Sequence, residues 1–239
     1  MKRIIYDYEK PHIVGRAKGS FSKAKIIVAI LIFGLLIAAI YVLFFRTSSV
    51  TLSCTEFFAV AVKGKEDVNV TAEQIKILGG GGYVDNDSVI VCVYPSKQDA
   101  EKVASRYGYT VESLGKFKVK IDYSSDELSN QVAKLCSLPE KIALELYQYV
   151  VSLDKGELSE AAALLAIENT LELINENLEL TNSLLVDYPK DKLIKDARQA
   201  LEQISTALSE QNFYSVSSRL KYCLTSVVYI NKNLLISIT

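Results

Sequence analysis

The sequence contains no tryptophan, one methionine and a single histidine, His12. Because His12 lies near the N-terminus, the long remainder of the chain has no imidazole. A Ser–His–Asp or Cys–His nucleophilic pair cannot be built there, and histidine-based zinc sites are excluded as well. A carboxylate pair is the remaining route to hydrolysis, and no spacing separates such a pair from the solvated helix faces. The sequence therefore predicts a protein that is not an enzyme and holds no metal and no cofactor.

Charged side chains are absent from residues 26–45, IIVAILIFGLLIAAIYVLFF. At about 1.5 Å per residue, a helix of this length crosses the roughly 30 Å hydrocarbon core of a bilayer, so the segment predicts one transmembrane helix. Residues 1–25 form a basic arm with a net charge of +5, which the positive-inside rule places in the cytoplasm. A cleaved signal peptide is the alternative, but its apolar region is usually shorter. We expect a single-pass cell-membrane protein with extracytoplasmic C-terminal domains.

The remaining charge is almost balanced. The net charge of the whole chain is −1, and residues 46–239 carry −6, so no nucleic-acid partner is expected. Beyond the apolar segment lie four cysteines, Cys54, Cys92, Cys136 and Cys223, whose spacing matches no metal-ligand motif. Free, buried thiols are favoured over a Cys54–Cys92 or Cys136–Cys223 disulfide, because Cys92 lies in an apolar strand and Cys223 at a core position of a helix.

Residues 50–122 alternate between strand and helix patterns. Apolar residues at every second position predict strands at 50–54, 58–62, 83–84, 88–94 and 117–121. Capping sequences at Thr71 and Ser96 predict two helices between them, and Ala100, Val103, Ala104 and Tyr107 form the apolar side of the second. The glycines at 79–82 are expected to end the first helix and turn into Tyr83. The predicted fold class is α+β, a βαββαβ domain.

Several short motifs in this region resemble a known family. They are Phe57-Phe58-Ala59-Val60-Ala61-Val62, Gly79-Gly80-Gly81-Gly82-Tyr83-Val84, Val89-Ile90-Val91-Cys92-Val93-Tyr94-Pro95-Ser96 and Asp99-Ala100-Glu101-Lys102-Val103. Together they resemble the sporulation-related repeat (SPOR) domain, in the version found in single-pass proteins of clostridia and their relatives. The resemblance covers residues 56–122. It implies a βαββαβ fold whose open sheet face binds peptidoglycan glycan strands.

The resemblance also suggests a ligand-binding face. SPOR domains often carry a glutamine followed by a glycine on the first strand, and the counterparts here are Ala61 and Lys63. Alternation directs Phe57 to the same face, so Phe57 and Tyr83 offer aromatic rings to a sugar while Lys63 offers a donor. The alternative is that the segment at 50–54 or the C-terminal helices cover this face.

From Ser124 to the C-terminus the apolar residues recur at steps of three and four, which predicts an antiparallel helical bundle at 124–239 of four helices, five broken ones, or an antiparallel coiled coil. Its first helix is expected to be interrupted or to restart at Pro139. The bundle is expected to bind a protein partner or a second copy.

Two functions follow as hypotheses. The first is a membrane-anchored bacterial cell-envelope protein whose SPOR-like domain binds peptidoglycan in cell division or sporulation. The second is a scaffold whose SPOR-like domain has lost glycan binding and whose bundle mediates protein–protein interaction.

Overall fold

A computed structural model describes residues 48–63 and 67–238, which form six strands and six helices. The strands are β1 (Ser48–Ser53), β2 (Phe58–Lys63), β3 (Tyr83–Asp85), β4 (Ser88–Tyr94), β5 (Thr110–Ser113) and β6 (Lys118–Tyr123). The helices are α1 (Val68–Ile77), α2 (Lys97–Tyr107), α3 (Asp126–Asp154), α4 (Glu160–Asp187), α5 (Lys192–Ser209) and α6 (Val216–Ser237). These elements form one compact unit, so the regions predicted at 50–122 and 124–239 are parts of a single body.

The larger sheet has four antiparallel strands in the order β3-β4-β2-β5. With α1 and α2 it gives the element order β-α-β-β-α-β over residues 58–113. The two-residue turn Asn86-Asp87 joins β3 to β4, and Asn86 has a φ of 52°, a conformation that asparagine tolerates better than most residues.

Alternation along β2 divides its side chains between two cores. Val60 packs with Ala100 and Ala104 of α2, on the face that α1 and α2 cover. Ala59 and Ala61 point the other way, into the core that the C-terminal helices share. The sheet is therefore apolar on both faces and is covered by helices on both.

The second sheet is a correction to the predicted βαββαβ domain. The sequence assigned the last strand to residues 117–121, but β6 pairs with β1, with Val50 opposite Ile121 and Leu52 opposite Val119. The fourth strand of the larger sheet is instead β5, whose exposed and polar residues show no alternation. The β1–β6 pair buries Val119 and Ile121 against α3, which both strands contact.

Each of the four C-terminal helices begins at a side-chain cap. The capping oxygens accept from the backbone N–H three residues on, in the pairs Ser125–Leu128, Ser159–Ala162, Asp191–Ile194 and Ser215–Ser218. Such caps contribute about 1 kcal/mol each. The predicted interruption at Pro139 is absent, because α3 runs through it with buried Leu135 and Ile142 on either side.

Helix α6 is the most deeply buried helix of the four. It contacts α3, α4 and α5 as well as β3 and β4. Its residues from Cys223 to Tyr229 are all buried, so it has no broad solvent face in its central turns. A helix in a bundle usually keeps one side in solvent. In α6 that side is covered as well, because the helix also packs on the larger sheet.

The predicted fold class is wrong as stated. The structure is α+β with six helices and two small sheets in its described part, and none of these helices is long and apolar enough to cross a membrane. The predicted membrane segment at 26–45 and the basic arm at 1–25 lie outside the described residues.

All four cysteines are free and buried. Burial raises the pKa of Cys54, Cys136 and Cys223 from 9.0 to about 12, and that of Cys92 to about 11. The unfolded chain loses these protons above about pH 9, whereas the folded chain keeps them. The four thiols therefore make their full contribution to the free energy of unfolding below pH 9. This contribution falls as the pH rises from 9 to 12.

We expect a small aromatic disulfide reagent at pH 8 to label the folded protein slowly and the urea-unfolded protein at all four thiols. The thiolate is the reactive form, and burial suppresses both its formation and its access. Quantifying the released chromophore over time measures this difference. Fast labelling of the folded chain at two or more thiols would contradict the buried placement.

Candidate functional site

The face predicted to bind glycan is buried. Phe57 is 3% exposed and Ala61 is 1% exposed, and both belong to the core that the sheet shares with α3 and α6. Phe57 lines a small cavity together with Val228 and Leu235 of α6. A sugar ring cannot stack on Phe57 or reach Ala61 while this helix is in place.

Tyr83, the second predicted aromatic residue, contacts α6 as well. Its ring centroid lies 4.9 Å from that of Tyr229 and 6.0 Å from that of Tyr222, distances typical of favourable aromatic pairs. Burial, with a smaller effect of the Asp85 charge, raises the pKa of Tyr83. Tyr83 is therefore a half-buried contact between sheet and helix.

Lys63 is the only one of the four predicted residues that is exposed to solvent. It lies at the end of β2 beside a shallow groove of about 370 Å³, which Asp85, Asp87 and Glu112 also line. The groove contains three carboxylates and no aromatic ring. The predicted set of Phe57, Ala61, Lys63 and Tyr83 is thus split between a core and an acidic edge.

The glycine run explains how α6 comes so close to the sheet. Gly79 and Gly80 end α1 with hydrogen bonds to Lys76 and Ile75, the pattern of a Schellman motif. At Gly81, a Cβ atom would lie 3.0 Å from the backbone of Lys221 and Tyr222 in α6. Only a residue without a side chain allows this helix to pack on the turn at that distance.

Polar contacts fix the same junction. The Ser218 hydroxyl donates to the Gly80 carbonyl at 2.7 Å in a buried environment. The Lys76 ammonium lies 5.5 Å from the ring centroid of Phe213 and 5.9 Å from that of Tyr222, within the range of cation–π attraction. The glycines were predicted to end a helix, but the helix that packs on them was not predicted. Ser218 in α6, whose hydroxyl bonds to Gly80, is the residue that could have indicated this partner.

A separate cleft of about 310 Å³ opens between α1, α2 and the ends of α3 and α6. Lys221 and Asp154 form an ion pair of 2.9 Å on its wall, and Tyr107 stacks on Tyr109 with ring centroids 5.6 Å apart. Tyr107 was predicted to lie on the buried side of its helix, but it is 60% exposed. The cleft is therefore an accessible concavity with three tyrosines in its lining, Tyr94, Tyr107 and Tyr109.

The potential metal ligands of the described residues are scattered rather than clustered. No group of three or more His, Cys, Asp or Glu side chains lies close enough together to hold a metal ion in residues 48–63 and 67–238. The Cys92 thiol beside the cleft has a pKa of about 11, raised by burial, so it is protonated at neutral pH. The cleft therefore offers no thiolate from Cys92 at neutral pH.

Comparison with known proteins finds no family model that matches the chain, and no curated protein or solved structure that matches it. The SPOR resemblance of residues 56–122 therefore stays a prediction that rests on the motifs themselves.

Proposed function

We propose that this protein is a non-catalytic scaffold in which the SPOR-like sheet holds the chain's own C-terminal helices instead of a glycan. The exposed faces of those helices then bind a protein partner. Its place in the bacterial cell envelope, in division or sporulation, rests on the SPOR resemblance and stays a prediction.

One observation carries the proposal, namely the packing of α6 on β3 and β4 of the larger sheet, with Phe57 and Ala61 buried in the core that the sheet shares with this helix. Uncovering this face would expose Phe57, Ala59 and Ala61 together with the buried residues of α6. Each large apolar side chain that returns to water costs about 1.5–3 kcal/mol, so a glycan would have to compensate for the loss of a large part of the core.

The chemistry of the side chains supports a binding role. No histidine follows His12, and burial keeps the four thiols protonated at neutral pH. The carboxylates of the described ion pairs, which are candidates for a general base, are at least partly exposed to solvent.

A second candidate function is favoured by Tyr107. Its exposed ring at the mouth of the cleft, stacked on Tyr109, is a surface on which a sugar ring can stack. In this alternative the protein binds a glycan at the cleft between α1 and α2 rather than at the predicted sheet face.

Cosedimentation of the full chain with purified peptidoglycan glycan strands, stripped of stem peptides, tests the proposal. We expect the protein to stay in the supernatant, and Lys63→Ala and Tyr107→Ala to behave like the wild type. Cosedimentation that Tyr107→Ala abolishes and Lys63→Ala does not would contradict the scaffold and favour the cleft. Cosedimentation that only Lys63→Ala abolishes would contradict the scaffold and favour glycan binding at the end of β2 that contains Lys63.

A further inference from the structure

Helix α4 carries charge of one sign only. Between Glu160 and Asp187 it contains six acidic residues and no lysine or arginine: Glu160, Glu168, Glu172, Glu176, Glu179 and Asp187. None of them takes part in the ion pairs of the described residues. The spacing of Glu168, Glu172 and Glu176 places like charges at i, i+4, which weakens an isolated helix. No direct ion pair within the described residues neutralises this charge.

The same helix exposes large apolar side chains. Leu165 is 55% exposed, Leu173 37% and Leu180 39%, at steps of eight and seven residues along one side of the helix. At about 1.5 Å per residue the three leucines span roughly 22 Å. The opposite side of α4 is buried at Ala163, Ile167 and Ile174, so the exposed parts of the leucines lie away from the core.

We call the outward surface of Leu165, Leu173 and Leu180 with Glu168, Glu172, Glu176 and Glu179 the α4 face. A groove of about 320 Å³ lies at its C-terminal end, between α4 and the start of α3. Leu128, Leu180 and Leu184 supply apolar lining, and Glu127 and Asp187 lie among them. This groove has room for one apolar side chain with a cationic group next to it.

We propose that the α4 face binds a basic amphipathic helix of a partner protein. Leucine contacts every seven to eight residues match the repeat of an amphipathic helix, and lysines or arginines beside its apolar stripe would meet the four glutamates. The inference rests on the proposed scaffold function and names the partner's chemistry.

Charge opposes three competing occupants, namely a second copy, nucleic acid and an anionic lipid surface. A second copy that docked through the same face would bring two rows of glutamates together, and like-charge juxtaposition opposes such a dimer. Nucleic acid and anionic lipid surfaces are repelled for the same reason. A basic helix is the occupant for which both the leucines and the glutamates are favourable.

The test uses the full chain, solubilised in a neutral detergent, and a synthetic 21-residue helical peptide of leucine and lysine with leucines at steps of three and four. A peptide with glutamate in place of lysine is the matched ligand control. We expect fluorescence anisotropy to show binding of the lysine peptide only, weakened by raising the salt concentration, because exposed charges are screened.

Two variants test the two components of the face. Replacing all four glutamates by glutamine is expected to weaken binding about tenfold. Each exposed ion pair contributes little to the binding free energy, but the contributions of four pairs add up. Leu165→Ser keeps every charge and is expected to weaken binding by a similar factor. The charge-matched control replaces remote exposed carboxylates, in Asp87→Asn, Glu101→Gln, Glu112→Gln and Asp122→Asn, and should leave binding unchanged. Melting temperatures verify that all variants fold.

Three results would overturn the inference. The first is equal loss of binding in the α4 face and in the remote control, which would mean that net charge alone attracts the peptide. The second is self-association that Leu165→Ser abolishes, which would make a second copy the occupant. The third is binding that is seen only after residues 1–25 are removed, which would make the chain's own basic arm the occupant. If neither the lysine peptide nor the glycan binds, this inference fails and the scaffold proposal still stands. If the glycan binds, the scaffold proposal is contradicted whatever the peptide does.

Discussion

Replacing Phe57 by alanine is expected to lower the free energy of unfolding by about 3–5 kcal/mol, the usual cost of truncating a buried aromatic residue. Phe57 is 3% exposed and lines a small cavity together with Val228 and Leu235 of α6, so alanine enlarges the empty space at this junction. Urea denaturation followed by circular dichroism measures the change. A loss of that size identifies Phe57 as part of the core.

Lys63→Ala is the control, at the far end of the strand β2 that Phe57 directly precedes. Lys63 is exposed, and substitutions of this kind change stability by no more than about 0.5 kcal/mol. If Phe57→Ala were as mild as Lys63→Ala, the ring would be accessible and the face would be open. That outcome would contradict the covering of the sheet by α6.

Gly81→Val is expected to lower the free energy of unfolding by about 2–3 kcal/mol, because the new side chain meets the α6 backbone. A Cβ atom alone would lie 3.0 Å from Tyr222 N and from Lys221 C, and neither backbone atom can move without shifting the helix. Thermal and urea unfolding give the change in stability.

Gly79→Ala provides the matched comparison within the same turn. Gly79 has a φ of +82°, and a Cβ atom added there would meet no other atom within 4 Å. Its substitution therefore costs only the backbone strain of about 1–2 kcal/mol. Equal losses in the two variants would mean that α6 does not pack on the turn. A larger loss in Gly81→Val is the result that its 3.0 Å contacts require.

The strands and helices near the SPOR-like motifs could be predicted because their patterns are local. Alternation from Phe58 to Val62 and the apolar run from Ser88 to Tyr94 lie where β2 and β4 lie. The stop at Gly79 follows from the conformational freedom of glycine, which has a positive φ there. In these segments the residues themselves determine the local structure.

The last strand could not be assigned from its own residues. Val119 and Ile121 alternate as a strand of either sheet would, and only the pairing with β1 decides between the two. The true edge strand β5, from Thr110 to Ser113, is mostly exposed and carries no apolar alternation. Strand order is a long-range property, and polar edge strands give little signal of it.

For a related reason, the sequence left open whether the sheet face is free to bind glycan or is covered by the C-terminal helices. Alternation correctly separates Phe58 and Val60 from Ala59 and Ala61, but it does not state what covers the second face. That information lies more than a hundred residues away, in a helix with buried small polar residues such as Ser218 and Thr225. Small side chains in an otherwise apolar helix are the sequence signal for close packing against another backbone.

The most direct test of the covered sheet face is a double-mutant cycle between Tyr83 on the sheet and Tyr229 on α6. Their ring centroids are 4.9 Å apart, and aromatic pairs at such distances contribute about 0.5–1.5 kcal/mol beyond their burial. We expect Tyr83→Leu, Tyr229→Leu and the double variant to show a coupling free energy in this range by urea denaturation. Additive effects, within about 0.3 kcal/mol, would mean that the rings do not touch and that α6 does not cover the sheet.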